Sequence, residues 1–200
     1  MEINQLSALV AFAFVMSATP GPNNLMLMAS GANFGWARTL PHMLGIGVGF
    51  VIMTLLVGVG LVQVFDIYPM IYSVLKYGSI GFLIYLAAKI ANAAPPGHTY
   101  ASATPMTFLQ AALFQWVNPK AWSMALTAIS VYAPQEGGII GVVTVALAFG
   151  LVSFPSNSIW VLLGTQLRRL LNVPWKLRVF NLTAAMLLLA SLYPILIPQG

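Results

Sequence analysis

Two stretches carry the residue types that can do chemistry, and both interrupt long apolar runs. The first is Thr19-Pro20-Gly21-Pro22-Asn23-Asn24, and the second, in the other half of the chain, is Gln115-Trp116-Val117-Asn118-Pro119-Lys120. Prolines at such positions cannot continue an α-helix, because each removes an N–H donor and its ring clashes with the preceding turn. Hydrocarbon cannot satisfy the freed N–H and C=O groups, so a break of this kind lies against protein or a watery cavity. Matching interruptions in two halves of a membrane chain point to a transporter's central site.

After each break a new half-helix is expected to begin. Thr19 and Asn118 are suitable N-caps, and Pro20 or Pro22, and Pro119, suit the first turn. The unpaired N–H groups and positive dipole end of each half-helix suit an anionic group such as a carboxylate. The carbonyls that close the preceding half-helix can accept from an ammonium. Together these ends suit a zwitterion such as an amino acid, with Asn23, Asn24, Gln115 and Asn118 as neutral donors and acceptors. The competing reading is that the prolines merely kink two helices. Two polar breaks at matching depth favour a site.

Lys120 is expected to be the only charge near the membrane midplane, where a charge costs roughly 2.5–3.5 kcal/mol on insertion scales and faces the bundle interior. It can pair with a substrate carboxylate or titrate during transport. Its competing role is to snorkel, or to bond helix carbonyls and hold the break. Asn157, with Ser153, Ser156 and Ser158 around Pro155, forms a third polar island, either a substrate contact or interhelical glue. Gly45-x-x-x-Gly49 reads as close helix packing. Arg38 reads as a topology determinant rather than a gate, His42 as lying at the cytoplasmic entrance outside the bilayer core, and His98 as solvated. Trp36, Trp160, Trp175, Tyr68 and Tyr132 read as interface anchors or packing.

Composition says what must position these residues. The 200-residue chain is 60% hydrophobic and 6% charged, against about 25% charged in soluble domains, and its mean hydropathy is +0.90. An integral membrane protein follows, with room for about six spanning helices and no separate soluble domain. The basic residues are few, and a topological bias explains them better than a nucleic-acid partner. The absence of cysteine excludes disulfides, thiolate metal sites and cysteine nucleophiles. Met1-Glu2-Ile3-Asn4-Gln5 lacks the positive n-region of a signal peptide, so the first apolar run reads as a retained span.

The predicted spans run from about Gln5 to Asn33 (broken), Leu40 to Phe65, Tyr68 to Asn92, Pro105 to Tyr132 (broken), Gly138 to Leu167 and Lys176 to Ile197. The Ala94-Pro95-Pro96-Gly97-His98 loop divides the halves. Arg38, Lys89, Arg168, Arg169, Lys176 and Arg178 fall at the first, third and fifth loops. Glu2, Asp66 and Glu136 fall opposite, with Lys76 the one basic residue near them. The positive-inside rule then places the odd loops in the cytoplasm and both termini in the periplasm. The expected architecture is all-α: one transmembrane domain over residues 1–200, built as two inverted three-helix repeats, about 1–93 and about 105–200. Both breaks come about fifteen residues into their spans, roughly 20 Å deep at 1.5 Å per residue.

No Asp or Glu falls inside a predicted span, so no carboxylate proton relay is expected. No metal-ligand cluster, phosphate-binding Gly-rich loop or convincing Ser/His/Asp set is present, so neither an enzyme nor a cofactor is expected.

The Thr19–Asn24 stretch, the following Gly35-x-x-Arg38 with its small-residue span, and Asn118-Pro119-Lys120 resemble the LysE/RhtB family of amino-acid exporters along the whole chain. The resemblance implies a small bacterial inner-membrane exporter of amino acids or derivatives, driven by the membrane potential or a proton gradient, with oligomers suspected. It implies that Pro20, Gly21, Pro22, Asn23, Asn24, Asn118, Pro119 and Lys120 frame the transport path. Family members divide between basic and neutral substrates. A basic side chain should need a buried carboxylate, and the spans offer none, so a neutral amino acid is expected. Proton coupling through Lys120 and uniport remain equally open. The expected function is export of neutral amino acids by alternating access. The alternatives are a passive small-solute channel and a non-transporting membrane assembly subunit.

Overall fold

Proline marks both helix breaks, while Pro41 and Pro155 lie inside continuous helices. The computed structural model describes residues 3–61, 63, 67–68, 70–93, 104–133, 138–171 and 173–193, apart from the side chains of Tyr72 and Arg169. Glu2, Asp66, His98, Glu136 and the dividing loop from Ala94 to His98 lie outside these residues. Among the described residues every regular element is helical: α1 (Ile3–Ala18), α2 (Pro22–Phe34), α3 (Trp36–Gly58), α4 (Met70–Ala91), α5 (Phe108–Phe114), a 3₁₀ turn (Gln115–Val117), α6 (Pro119–Tyr132), α7 (Gly138–Leu170) and α8 (Pro174–Ala190).

Both predicted breaks are present. Pro22 occupies the first turn of α2, which meets α1 at a bend of 59°. Pro119 occupies the first turn of α6, whose N-cap is Asn118, as expected. The first break departs from expectation in one detail: the N-cap of α2 is Gly21, not Thr19, and Gly21 offers no side-chain bond. Thr19 stays with α1, its N–H donating to the Val15 carbonyl and its hydroxyl to the Met16 carbonyl at 2.9 Å. Thr107 caps α5 through a capping box with Gln110. Gly35 takes φ +79°, a backbone region open to glycine, and so lets α3 start at Trp36, immediately after α2.

Among the described residues, three helical stretches are long and apolar enough to cross a membrane: Trp36–Gly58, Ser73–Ala91 and Gly138–Arg168. The α1–α2 pair makes a fourth if the bent pair is one span, and Phe108–Val117 is a shorter apolar helix. The helix ends gather into two groups. At one, the Arg168 guanidinium lies 3.5 Å from where a Cβ on Gly35 would stand. Nearby in sequence, Asn33 and Asn181 exchange amide hydrogen bonds at 2.9 and 3.3 Å, and Asn181 also donates to the Ala93 carbonyl. The ends of α2, α4 and α7 therefore lie together. At the other, Phe12 packs on Tyr132, Gly58 faces Val142, and Gly141 faces Ala133.

Two apolar cores lie between these ends. One gathers Met26, Leu27, Met43, Leu86, Phe114 and Leu188, and the other Leu9, Ala13, Phe50, Met53, Ala125 and Phe149. Helices α3 and α7 contribute to both, and the broken helices contribute one half to each.

Gly45 and Gly49 do the packing expected of them. A Cβ on Gly49 would stand 2.6 Å from Ala112 Cα, and one on Gly45 would stand 2.8 Å from Ala111 Cβ and closer still to the Phe108 carbonyl. Gly49→Val should therefore lower stability by about 1–3 kcal/mol through overpacking against backbone, read as a lower thermal midpoint in detergent. The buried Asn33–Asn181 pair is interhelical polar glue. A double-mutant cycle with alanine should give a coupling of about 0.6–1.7 kcal/mol, measured from denaturant or thermal unfolding.

Candidate functional site

The helix α1 ends in carbonyls that have no partner within the helix, and side chains from elsewhere satisfy them. Asn24 Nδ2 donates to the carbonyls of Ser17 at 2.8 Å and Thr19 at 2.7 Å. Trp160 Nε1 of α7 donates to the Ala18 carbonyl at 3.2 Å. Lys120 Nζ, from the first turn of α6, donates to the Thr19 carbonyl at 2.6 Å and the Thr19 hydroxyl at 2.8 Å, and lies 3.5 Å from the Pro20 carbonyl. The breaks are therefore joined: the cation of the second closes the helix end of the first. Burying these carbonyls without donors would be costly, which explains why so many amides and an ammonium converge here.

A second bridge lies beside it. Asn23 Nδ2 donates to Gln115 Oε1 at 2.8 Å, and Gln115 Nε2 donates back to Asn23 Oδ1 at 3.3 Å and to the Ala111 carbonyl at 2.9 Å. Gln115 is fully buried. It sits on the 3₁₀ turn between α5 and α6, so the irregular backbone aims it at α2. Asn118 Oδ1 accepts from the Lys120 backbone N–H at 3.1 Å. Gly21 leaves room for the lysine: a Cβ there would stand 2.7 Å from Lys120 Cδ.

These groups surround a cavity of about 40 Å³ between the two apolar cores. That is room for a few waters, since one needs about 10–15 Å³ on this measure. Of the residues proposed from sequence, Gly21, Asn23, Asn24, Gln115, Asn118, Lys120 and Asn157 line it. Thr19, Pro20, Pro22 and Pro119 shape the breaks without lining it. Arg38 does not line it either. It is exposed, its guanidinium 5.5 Å from the Phe34 ring, which accords with a topological role. Asn157 is 3% exposed, and its Nδ2 has no hydrogen-bond partner. Ser153 lines the cavity, whereas Ser158 is half-buried and does not line it. Lys120 is the one charged residue among those described that line the cavity, and no carboxylate is among them.

Ser17, Met16, Ile46, Phe50, Ala121 and Met124 also line the cavity without having been singled out. The apolar ones carry no signal apart from their helical neighbours, but Ser17 stands two residues before Thr19. Trp160, read as an anchor or packing residue, also serves the break.

The chain belongs to the LysE type translocator family, whose model matches residues 14–191. It is similar to proteins named cysteine/O-acetylserine efflux protein. One, from Escherichia coli O139:H28, is 28% identical over 92% of this chain and 93% of its own length. Those of Escherichia coli K12 and Shigella flexneri are 28% identical over 82% of this chain and 85% of theirs. No solved structure matches the chain. The chain is thus a multi-pass membrane protein of a translocator family.

Proposed function

We propose that this protein exports a small neutral amino acid or derivative across the bacterial inner membrane, by alternating access at the junction of the two broken helices. The observation that carries the reading is the bond from Lys120 Nζ to the Thr19 carbonyl and hydroxyl. An ammonium already occupies the acceptors that a substrate's α-ammonium would need. When Lys120 turns away, the substrate ammonium takes its place on the α1 carbonyls. The substrate carboxylate meets the uncapped first turn of α2 and the released Lys120 cation. The free Asn157 amide supplies a further donor.

Residues from both breaks line the same cavity, an arrangement that suits alternating access around a fixed central site. The absence of a carboxylate from the described lining favours a neutral side chain. The efflux relatives favour a small polar one, such as cysteine or O-acetylserine. Six crossings in two inverted repeats are supported by the direction of the broken pairs. α1–α2 runs from the Tyr132 end to the Gly35 end, and α5–α6 runs the opposite way, beside Gly45 and then Gly58. The end where Arg168 meets Gly35 would be cytoplasmic, and both termini periplasmic. A homo-oligomer remains part of the proposal from the family resemblance alone.

The test is efflux from proteoliposomes preloaded with labelled amino acids, with and without a proton gradient. Saturable efflux of a few neutral amino acids, accelerated by the same amino acid on the far side, is expected. Non-saturable flux without counter-transport would mean a channel, and no flux from folded protein would favour an assembly subunit.

A further inference from the structure

The central site leaves one buried titratable group unused. His42 is 1% exposed, and neither ring nitrogen has a hydrogen-bond partner among the described residues. A neutral imidazole carries one donor and one acceptor, and burying both unpaired is unusual enough to require an explanation. His42 lines a second cavity, of about 50 Å³, between α2, α3 and α4. Lys89 of α4 lines the same cavity, half-buried, and makes no hydrogen bond or ion pair with the described residues. Of the other polar side chains there, Thr104 is exposed, and the two buried ones are already committed. Ser30 Oγ is paired with Thr39 Oγ1 at 2.9 Å, and Asn33 Nδ2 donates to the Ala29 carbonyl and Asn181. No carboxylate lines the cavity among the described residues. What stays open is an ammonium and an imidazole facing one space.

We propose that this cavity is a second, carboxylate-binding site, with Lys89 as the counter-charge and the His42 N–H as the directional donor. The identity of its physiological ligand, the amino acid to be exported, rests on the function proposed above. The cavity runs along the later turns of α2, from Met26 to Phe34, while the first turn of α2 lines the central cavity. Ser30 is about 10 Å along the helix from Asn23 at 1.5 Å per residue, so the two sites are separate and successive. The second lies toward the end where Asn33, Asn181 and Ala93 meet, the end proposed as cytoplasmic. It is therefore a loading site, where substrate docks before reaching the central junction.

The chain has two histidines, so His98→Gln leaves His42 as a single reporter. The full chain, labelled with ¹⁵N in the imidazole, is placed in nanodiscs of phosphatidylcholine. It is titrated with sodium acetate, with O-acetyl-L-serine and with the methyl ester of O-acetyl-L-serine. Saturable movement of the His42 ring resonances is expected with acetate and the amino acid but not with the ester. Lys89→Gln should weaken the apparent affinity at least ten-fold, and Lys120→Ala should leave the response in place. Absence of movement, an equal response to the ester, or indifference to Lys89→Gln would overturn the proposal. So would movement produced only by adding phosphatidylglycerol, which would assign the cavity to a lipid headgroup. Efflux that survives Lys120→Ala would count against the central site and leave this readout untouched.

Discussion

Lys120→Ala is expected to abolish export while leaving insertion and folding intact. The ammonium makes two short bonds to Thr19 and approaches the Pro20 carbonyl. Hydrogen bonds involving a charged group contribute roughly 1.5–3 kcal/mol each. Losing the group that exchanges places with the substrate should therefore cut efflux by about a hundred-fold or more. Asn24 still donates to the Thr19 carbonyl and water can enter the cavity, so the fold should survive. Lys120→Arg should not rescue, because a planar guanidinium differs in shape and hydration from an ammonium and the stem already lies against Gly21. Efflux rates in proteoliposomes, normalised to monodisperse inserted protein, check this. Wild-type efflux by well-inserted Lys120→Ala would remove Lys120 from the mechanism.

Restoring a continuous first helix is expected to be as damaging. With Pro20 and Pro22 both replaced by alanine, residues 20 and 22 regain N–H donors, and the segment gains helix preference. The 59° bend between α1 and α2 should relax. The α1 carbonyls would then bond within the helix, and the acceptors that hold Lys120 and the uncapped first turn of α2 would disappear together. Export should fall below detection, and the amides of residues 19–24 should become protected from hydrogen exchange. A protected, straightened helix that still exports at the wild-type rate would separate the break from transport.

The breaks were legible in the sequence because proline acts locally: a missing donor and a ring clash need no tertiary context. The same holds for Asn118 as a cap and for Gly45 and Gly49, whose missing side chains already imply a close neighbour. The partners were not legible. That Asn23 reaches Gln115 depends on a 3₁₀ turn aiming the glutamine at α2, and that Lys120 reaches Thr19 depends on the two breaks lying side by side. Pattern gives depth along a helix but not which helix is adjacent. The capping role expected of Thr19 falls to Gly21, because an extended Pro20-Gly21 pair leaves Thr19 attached to α1. The burial of His42 was not legible either, because it depends on α2 and α4 packing against α3.

The decisive measurement is substrate protection of a cysteine placed in the central cavity. The chain has no cysteine of its own, and Ser153→Cys is a near-isosteric change at a residue that lines the cavity. Its modification by a small methanethiosulfonate reagent should slow saturably as O-acetyl-L-serine or another transported amino acid is added. The half-saturating concentration should match that for efflux, and a cysteine at the exposed Gln166 on α7 should not be protected. A protein that transports the amino acid while Ser153→Cys reacts at an unchanged rate would show that the substrate passes elsewhere.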